Sequence, residues 1–217
     1  MTKIKLRAAV AASAVIAAAL SGCAPAVSQM FEQRMNSGDV TVRREAAKEL
    51  RGQPRDARLV PYILQACRDE DVDVRVYGYY AIGRADAREE GVVSAVLAGM
   101  ADTSVQVRRA VASSLGMLDP FPNTCLPHMV RMLVDPDEKT RTLIVSAFVD
   151  LENGGIGSLM RNIDSKDAKL RLAVIDALAQ IGAPAKSALP KLKQIAGGDA
   201  DAEARAAAEK AVKFIER

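Results

Sequence analysis

One arginine recurs along this chain in a fixed setting: Arg43, Arg75, Arg108, Arg141, Arg171 and Arg205, at intervals of 32, 33, 33, 30 and 34 residues. A period in the low thirties confines the chain to stacked supersecondary units, each of which buries its apolar face only against its neighbours. The segments align as Ser37-Gly-Asp-Val-Thr-Val-Arg43, Asp69-Glu-Asp-Val-Asp-Val-Arg75, Asp102-Thr-Ser-Val-Gln-Val-Arg108, Asp135-Pro-Asp-Glu-Lys-Thr-Arg141, Ser165-Lys-Asp-Ala-Lys-Leu-Arg171 and Asp199-Ala-Asp-Ala-Glu-Ala-Arg205. Six residues before each arginine stands Asp or Ser. Four before it stands Asp39, Asp71, Asp137, Asp167 or Asp201, with Ser104 in the third unit.

After each arginine the apolar residues fall at offsets of about three, four and seven, as in Val111, Ala112 and Leu115 or Val174, Ile175 and Leu178. That spacing is one face of a helix. The Asp or Ser six residues upstream is expected to cap it, with Pro136 at the first helical position and acid in the first turn complementing the dipole. A second set of helices lies between, with cores at 27–35, 59–68, 92–100, 125–134, 156–163 and 188–195. Pro61, Pro127 and Pro190 stand where a proline would bend or begin them. Each unit is therefore a helical hairpin, and no strand pattern appears.

Hairpins of this length carrying Asp-x-Asp-x-x-Val-Arg-x-x-Ala-x-x-Leu-Gly resemble HEAT repeats, in the short form also found in phycobilin lyases. The resemblance is closest from Asp102 to Gly116, including Val107, Arg108, Ala112 and Leu115. It implies an all-α fold, a right-handed alpha-solenoid of about six hairpins over residues 27–217. The fifth unit departs most: the Gly154-Gly155-Ile156-Gly157 run shortens its first helix, and a bend is expected there. The end units are the more polar, and Glu209 fills a column that is apolar in the other five, which suits an end facing water.

A cation in the first turn opposes the helix dipole, so the arginine column needs a compensation. HEAT repeats are known for a structural ladder in which each guanidinium bonds a carboxylate or loop carbonyl of its own or the adjacent repeat. Arg43, Arg75, Arg108, Arg141, Arg171 and Arg205, with Asp39, Asp71, Asp137, Asp167 and Asp201, are expected to build it here. The second helices line the concave face in this family. Their outward positions, one and five residues after each arginine, differ from repeat to repeat. Arg44, Lys48, Val76, Tyr77, Tyr80 and Arg109 are the candidate protein-binding residues, since Tyr and Arg anchor interfaces; the tyrosines would equally fill inter-repeat space opened by Gly78.

The first 22 residues are of another kind. Lys3, Lys5 and Arg7 precede an apolar stretch from Ala8 to Leu20, the n-region and h-region of a signal peptide, too short for a comfortable transmembrane helix. Leu20-Ser21-Gly22-Cys23 resembles the lipobox of bacterial lipoproteins, which implies cleavage before Cys23 and acylation of its thiol. Residues 23–26 would then be a lipid-anchored linker. Ala24, in place of Asp, leans towards an outer membrane facing the periplasm if the cell is Gram-negative. The chain's 30 Lys+Arg against 27 Asp+Glu give a net charge of +3. Removing the leader removes all three surplus cations and with them the argument for a polyanionic partner.

An exported chain could pair cysteines. Cys67 and Cys125 fall two repeats apart, beyond disulfide reach for stacked helices, and are expected buried and reduced. The single histidine, His128, excludes two-histidine metal sites, and aromatic residues at 4% make a stacking platform for nucleic acid thin. No phosphate loop, catalytic triad or paired catalytic carboxylates is apparent. The expected function is a non-enzymatic scaffold, a lipid-anchored module that binds a protein of the cell envelope, with no cofactor, metal, nucleic acid or small-molecule substrate. The alternative is a bilin-lyase-like enzyme or chromophore-binding protein sharing the repeat.

Overall fold

The computed structural model describes residues 24–151 and 153–217, so the leader, Leu20, Ser21, Gly22 and Cys23 lie outside the described residues. The described chain forms twelve α-helices in six hairpins: α1 (Ala24–Met35) with α2 (Val40–Gly52), α3 (Val60–Cys67) with α4 (Val72–Ile82), α5 (Val92–Met100) with α6 (Val105–Ser114), α7 (Leu126–Met132) with α8 (Glu138–Asp150), α9 (Asn153–Met160) with α10 (Ala168–Ile181), and α11 (Leu189–Gly198) with α12 (Ala202–Ile215). Among the described residues there is no strand, only one isolated bridge between Asp86 and Asp119. Helix α1 begins at Ala24. The expected linker at 23–26 is therefore already helical from its second residue.

The second helices α2, α4, α6, α8, α10 and α12 pack on one another in order, and the first helices α1, α3, α5, α7 and α9 form a parallel row. This is an alpha-solenoid. One continuous core runs between the rows, from Phe31 and Leu50 through Ile82, Val96, Leu115, Met129 and Phe148 to Ile175, Leu178 and Ile215. The stripe follows from the sequence period: residues three, four and seven after each arginine meet the first-helix row.

Two glycines set how closely the rows approach. A Cβ on Gly78 would lie 2.7 Å from the Cys67 backbone nitrogen, so α3 and α4 touch backbone to backbone. A Cβ on Gly99 of α5 would lie 2.5 Å from the ring of Tyr79, a residue of α4 buried against α5 with its hydroxyl donating to the Ala95 carbonyl at 2.9 Å. Tyr79 is thus a core residue. The prolines Pro61, Pro127 and Pro190 lie in the first turns of α3, α7 and α11, where the missing N–H has no partner to lose.

The helix caps differ from expectation by two residues. The N-caps are Asp39, Asp71, Ser104, Asp137, Asp167 and Asp201, four residues before each arginine, all in extended backbone conformation. Their carboxylates accept from first-turn amides, as Asp39 does from Thr41 at 2.8 Å and Asp137 from Thr140 at 2.8 Å. The residue six before the arginine instead folds the turn ahead of the cap. Ser37, Asp69, Asp102, Asp135, Ser165 and Asp199 each accept the N–H of the cap residue itself, at 2.8–3.2 Å. Pro136 accordingly precedes the cap Asp137 and lies in the turn, not in the helix. Both columns are Asp-rich, and a one-residue side chain can bond the backbone two or three positions on in either setting.

Candidate protein-interaction surface

The surface is best built by first removing what the scaffold uses. Every guanidinium of the arginine column donates to the backbone carbonyl six residues before it: Arg43 to Ser37 at 3.0 Å, Arg75 to Asp69 at 3.0 Å, Arg108 to Asp102 at 3.0 Å, and Arg141, Arg171 and Arg205 to Asp135, Ser165 and Asp199 at 2.7 Å. In the first three repeats the rest of the fork reaches the next repeat. Arg43 pairs with Asp69 at 2.8 Å, Arg75 with Asp102 at 2.9 Å and Arg108 with Asp135 at 2.7 Å. The carboxylates of this ladder are the turn acids, six before the next arginine. Asp39, Asp71, Asp137, Asp167 and Asp201, expected in that role, are the caps, and of them Asp201 alone also comes within ion-pair distance of a ladder arginine, Arg171 at 3.6 Å. The turn acid, two residues before the cap, is the one that stands beside the ladder arginine of the preceding repeat, while the caps Asp71 and Asp137 meet the next arginine along, Arg44 and Arg109.

The ladder is interrupted once. After Arg141 the turn position is Ser165, so Arg141 has its two loop carbonyls, Asp135 and Pro136, and no carboxylate partner among the described residues. Arg171 lies 3.5 Å from Asp199 and 3.6 Å from Asp201, and its buried Nε is without a hydrogen-bond partner. Helices α8 and α10 also pack least closely of the consecutive second helices. The junction between the fourth and fifth repeats is thus the weakest of the row.

Two of the proposed binding cations belong to the scaffold as well. Arg44 grips the cap Asp71 through Nε at 2.9 Å and the terminal nitrogen at 2.6 Å, and Arg109 grips the cap Asp137 through Nε at 2.8 Å. These bonds hold the Asp71 carboxyl down at about 2 and that of Asp137 lower still. A folded-state value below the ordinary 3.9 or so means stability that is complete above that pH and lost as the carboxyls protonate. Melting temperature is therefore expected to stay level from pH 7 to about 5 and to fall between about pH 4 and 2. Circular dichroism melts across that range check it; a level profile down to pH 2 would contradict the pairing.

A second edge, not foreseen, joins the loops at the far ends of the hairpins. Arg55 reaches Asp86 at 3.1 Å and the Asp119 carbonyl at 2.9 Å, tying three consecutive loops, while Arg84 donates to the Gln53 carbonyl at 3.1 Å. Asp56 and Asp86 fold back on Arg58 and Arg88 in the same way. The available signal was the tripeptide Asp-Ala-Arg, at 56–58 and again at 86–88.

What remains is the outward face of the second-helix row. Lys48 is exposed, Tyr77 and Val76 are half-buried against the core, and Tyr80 is half-buried with its ring beneath the Arg51 guanidinium, 4.6 Å from the centroid. Arg51 was missed because it stands eight residues after its ladder arginine, at the end of α2. Farther along, Asp176, Ala179, Gln180, Lys210 and Phe214 line an open groove of about 540 Å3, in which partial burial raises the Asp176 carboxyl. Cys67 and Cys125 are buried free thiols, and burial pushes Cys125 up to about 11 and Cys67 higher. His128 is half-exposed on α7 beside Arg131 and Pro136. Among the described residues no group of three or more His, Cys, Asp and Glu side chains could hold a metal, and no helix is long and apolar enough to cross a membrane.

Solved structures with the same architecture share little sequence. An engineered repeat protein superposes with TM-score 0.54 at 16% identity, covering 88% of this chain and 96% of its own. Computationally designed armadillo repeat proteins for modular peptide recognition give 0.50 at 17%, covering 86% and 98%. The CpcE–CpcF complex of phycocyanin lyase from Nostoc sp. PCC7120 gives 0.52 at 18%, covering 88% and 77%. No curated protein matches the sequence. The profile of HEAT repeats matches residues 28–116, 60–149 and 126–213, nearly the whole described chain, and the protein belongs to the HEAT-repeat family.

Proposed function

We propose that the protein is a lipid-anchored scaffold of the bacterial envelope, held to a membrane through Cys23 and binding a protein partner along the concave face of its second-helix row, with no chemistry of its own. The observation that carries this reading is the division of labour along that row. Positions repeated in every unit are spent on caps, turns and the arginine ladder, while the outward positions change from one repeat to the next and leave Lys48, Arg51 and Tyr80 facing solvent. A surface that varies over an invariant frame is what selective recognition by a solenoid requires. The designed armadillo proteins, made for peptide recognition, use the same architecture for that purpose.

For the anchor, the support is the leader's charge, apolar stretch and Leu-Ser-Gly-Cys ending. Acyl chains on one cysteine, at about 0.8 kcal/mol per buried methylene, hold a protein firmly when there are two or more. An outer-membrane location facing the periplasm, in a Gram-negative cell, goes with this reading. Crosslinking in intact membranes is expected to recover a protein partner, and globomycin to accumulate the longer precursor. Bilin added to purified protein is expected to leave its absorption unchanged. A precursor indifferent to globomycin would remove the anchor, and a bound chromophore would move the assignment to the bilin-lyase alternative.

A further inference from the structure

The cations of the first three repeats are mostly paired, with Lys48, Arg51, Arg68 and Arg84 the exceptions among the described residues. Arg34, Arg43, Arg44, Arg55, Arg58, Arg75, Arg88, Arg108 and Arg109 all lie within 4 Å of a carboxylate, mostly in two-pronged pairs. Lys48, Arg51 and Arg84 make no ion pair among the described residues, and all three are exposed. They are also neighbours. Lys48 and Arg51 are three apart on α2 and share a helix face, while Arg84, two residues past the end of α4, donates to the carbonyl of Gln53, two residues beyond Arg51. The 4.6 Å approach of Arg51 to the Tyr80 ring brings the two helices together.

The carboxylates near this cluster are largely spent. Glu49 is taken by Arg34, Asp71 and Asp73 by Arg44, and Asp56 and Asp86 by arginines of the far-edge loops. Glu45, one turn before Lys48, remains exposed. Three cations against Glu45 and the one negative charge that Arg44 leaves over from Asp71 and Asp73 keep a small surplus of positive charge around an aromatic ring. The ring face holds the Arg51 guanidinium by cation–π attraction, which limits its rotamer freedom before any partner arrives.

Resting on the scaffold reading above, we propose that the first two repeats bind an acidic, extended segment of the protein partner, its carboxylates seated on Lys48, Arg51 and Arg84 and its backbone or an apolar side chain lying on Tyr80. Charge complementarity selects this occupant: an acidic peptide supplies the carboxylates that the scaffold supplies to every neighbouring arginine. Carboxylate geometry matches the Arg51 fork, and Lys48 contributes a point charge.

The test uses the mature full-length protein in neutral detergent micelles. The probes are a fluorescent (Glu-Ala)5 peptide, its (Lys-Ala)5 counterpart, a single-stranded oligonucleotide and phosphatidylglycerol vesicles. Anisotropy is expected to rise with (Glu-Ala)5 alone, and the Lys48→Glu/Arg51→Glu pair to weaken binding roughly tenfold or more through lost charge contacts. Tyr80→Phe should bind as wild type, and Tyr80→Ala should bind more weakly. Lys213→Glu on the last repeat should leave affinity unchanged. Unaltered melting temperature in the double variant separates lost binding from lost fold. Equal binding of the two peptides, preference for the oligonucleotide or vesicles, or full affinity in the double variant would overturn the proposal. Crosslinking separates the two readings. If wild type and double variant recover the same membrane partner equally, the scaffold stands and this assignment falls. If wild type recovers none, the scaffold reading itself falls.

Discussion

Gly78→Val is expected to destabilise the protein by about 3 kcal/mol, because overfilling a packed core costs roughly 1–3 kcal/mol and more when backbone must move. The new Cβ would lie 2.7 Å from the Cys67 nitrogen and 2.9 Å from the Ala66 carbonyl carbon. Neither can rotate away as a side chain could, so α3 and α4 have to part. The damage should spread through the shared core, since Ala66, Cys67 and Tyr79 are all below 4% exposed. At about 2–4 °C per kcal/mol for a chain of this size, the melting temperature should drop by roughly 6–12 °C. Gly197→Ala is the opposite case. It sits in α11 with nothing within 4 Å of its would-be Cβ, and it should stabilise by up to about 1 kcal/mol by restricting the unfolded chain. Thermal unfolding followed by circular dichroism decides both, and a Gly78→Val protein melting within 2 °C or so of wild type would show that the hairpin closes in some other way.

Much of this architecture was legible because it is local. Period, hairpin count and the proline-marked starts of α3, α7 and α11 depend on residues a few positions apart, and such signals survive in one sequence. The buried state of Cys67 and Cys125 followed from the repeat register. The caps were misread by two residues because Asp fits both the cap and the turn before it, and only backbone conformation separates the two. The ladder's partners lay beyond local reasoning. Which acid stands beside Arg108 is set by how far one hairpin is displaced on the next, and that displacement brings Asp135 to the fork and directs Asp137 to Arg109. The same cause altered the candidate site. Arg44 and Arg109 were legible as outward arginines, but their neutralisation by caps of the following repeat was not, nor was the meeting of Arg51 with Tyr80 across two helices. The Asp-Ala-Arg loops show the reverse: a visible repeat whose role needed the loops' proximity.

The ladder yields the other large effect. Asp135→Ala is expected to cost about 3 kcal/mol, near the lower end for removing one partner from a buried pair. Its side chain is 7% exposed and Arg108 beside it 16%, so the guanidinium left behind has little water to turn to. The same carboxylate also accepts the Asp137 N–H at 2.9 Å, which fixes the turn before the α8 cap. Arg108→Ala combined with Asp135→Ala should cost less than the two single losses added together, the sign that an uncompensated charge dominates. Ser165→Asp runs the argument forward. It puts a carboxylate where Asp69, Asp102 and Asp135 receive the preceding arginine, and it should bind Arg141 and raise stability by roughly 1 kcal/mol, the usual net scale of an intramolecular hydrogen bond. Hydrogen exchange should show the gain at the α8–α10 junction first, because a solenoid opens where neighbouring repeats hold each other least. If Asp135→Ala melts as wild type while Ser165→Asp changes nothing, the six arginines are held by their loop carbonyls alone, and the cohesion between repeats rests on the apolar core.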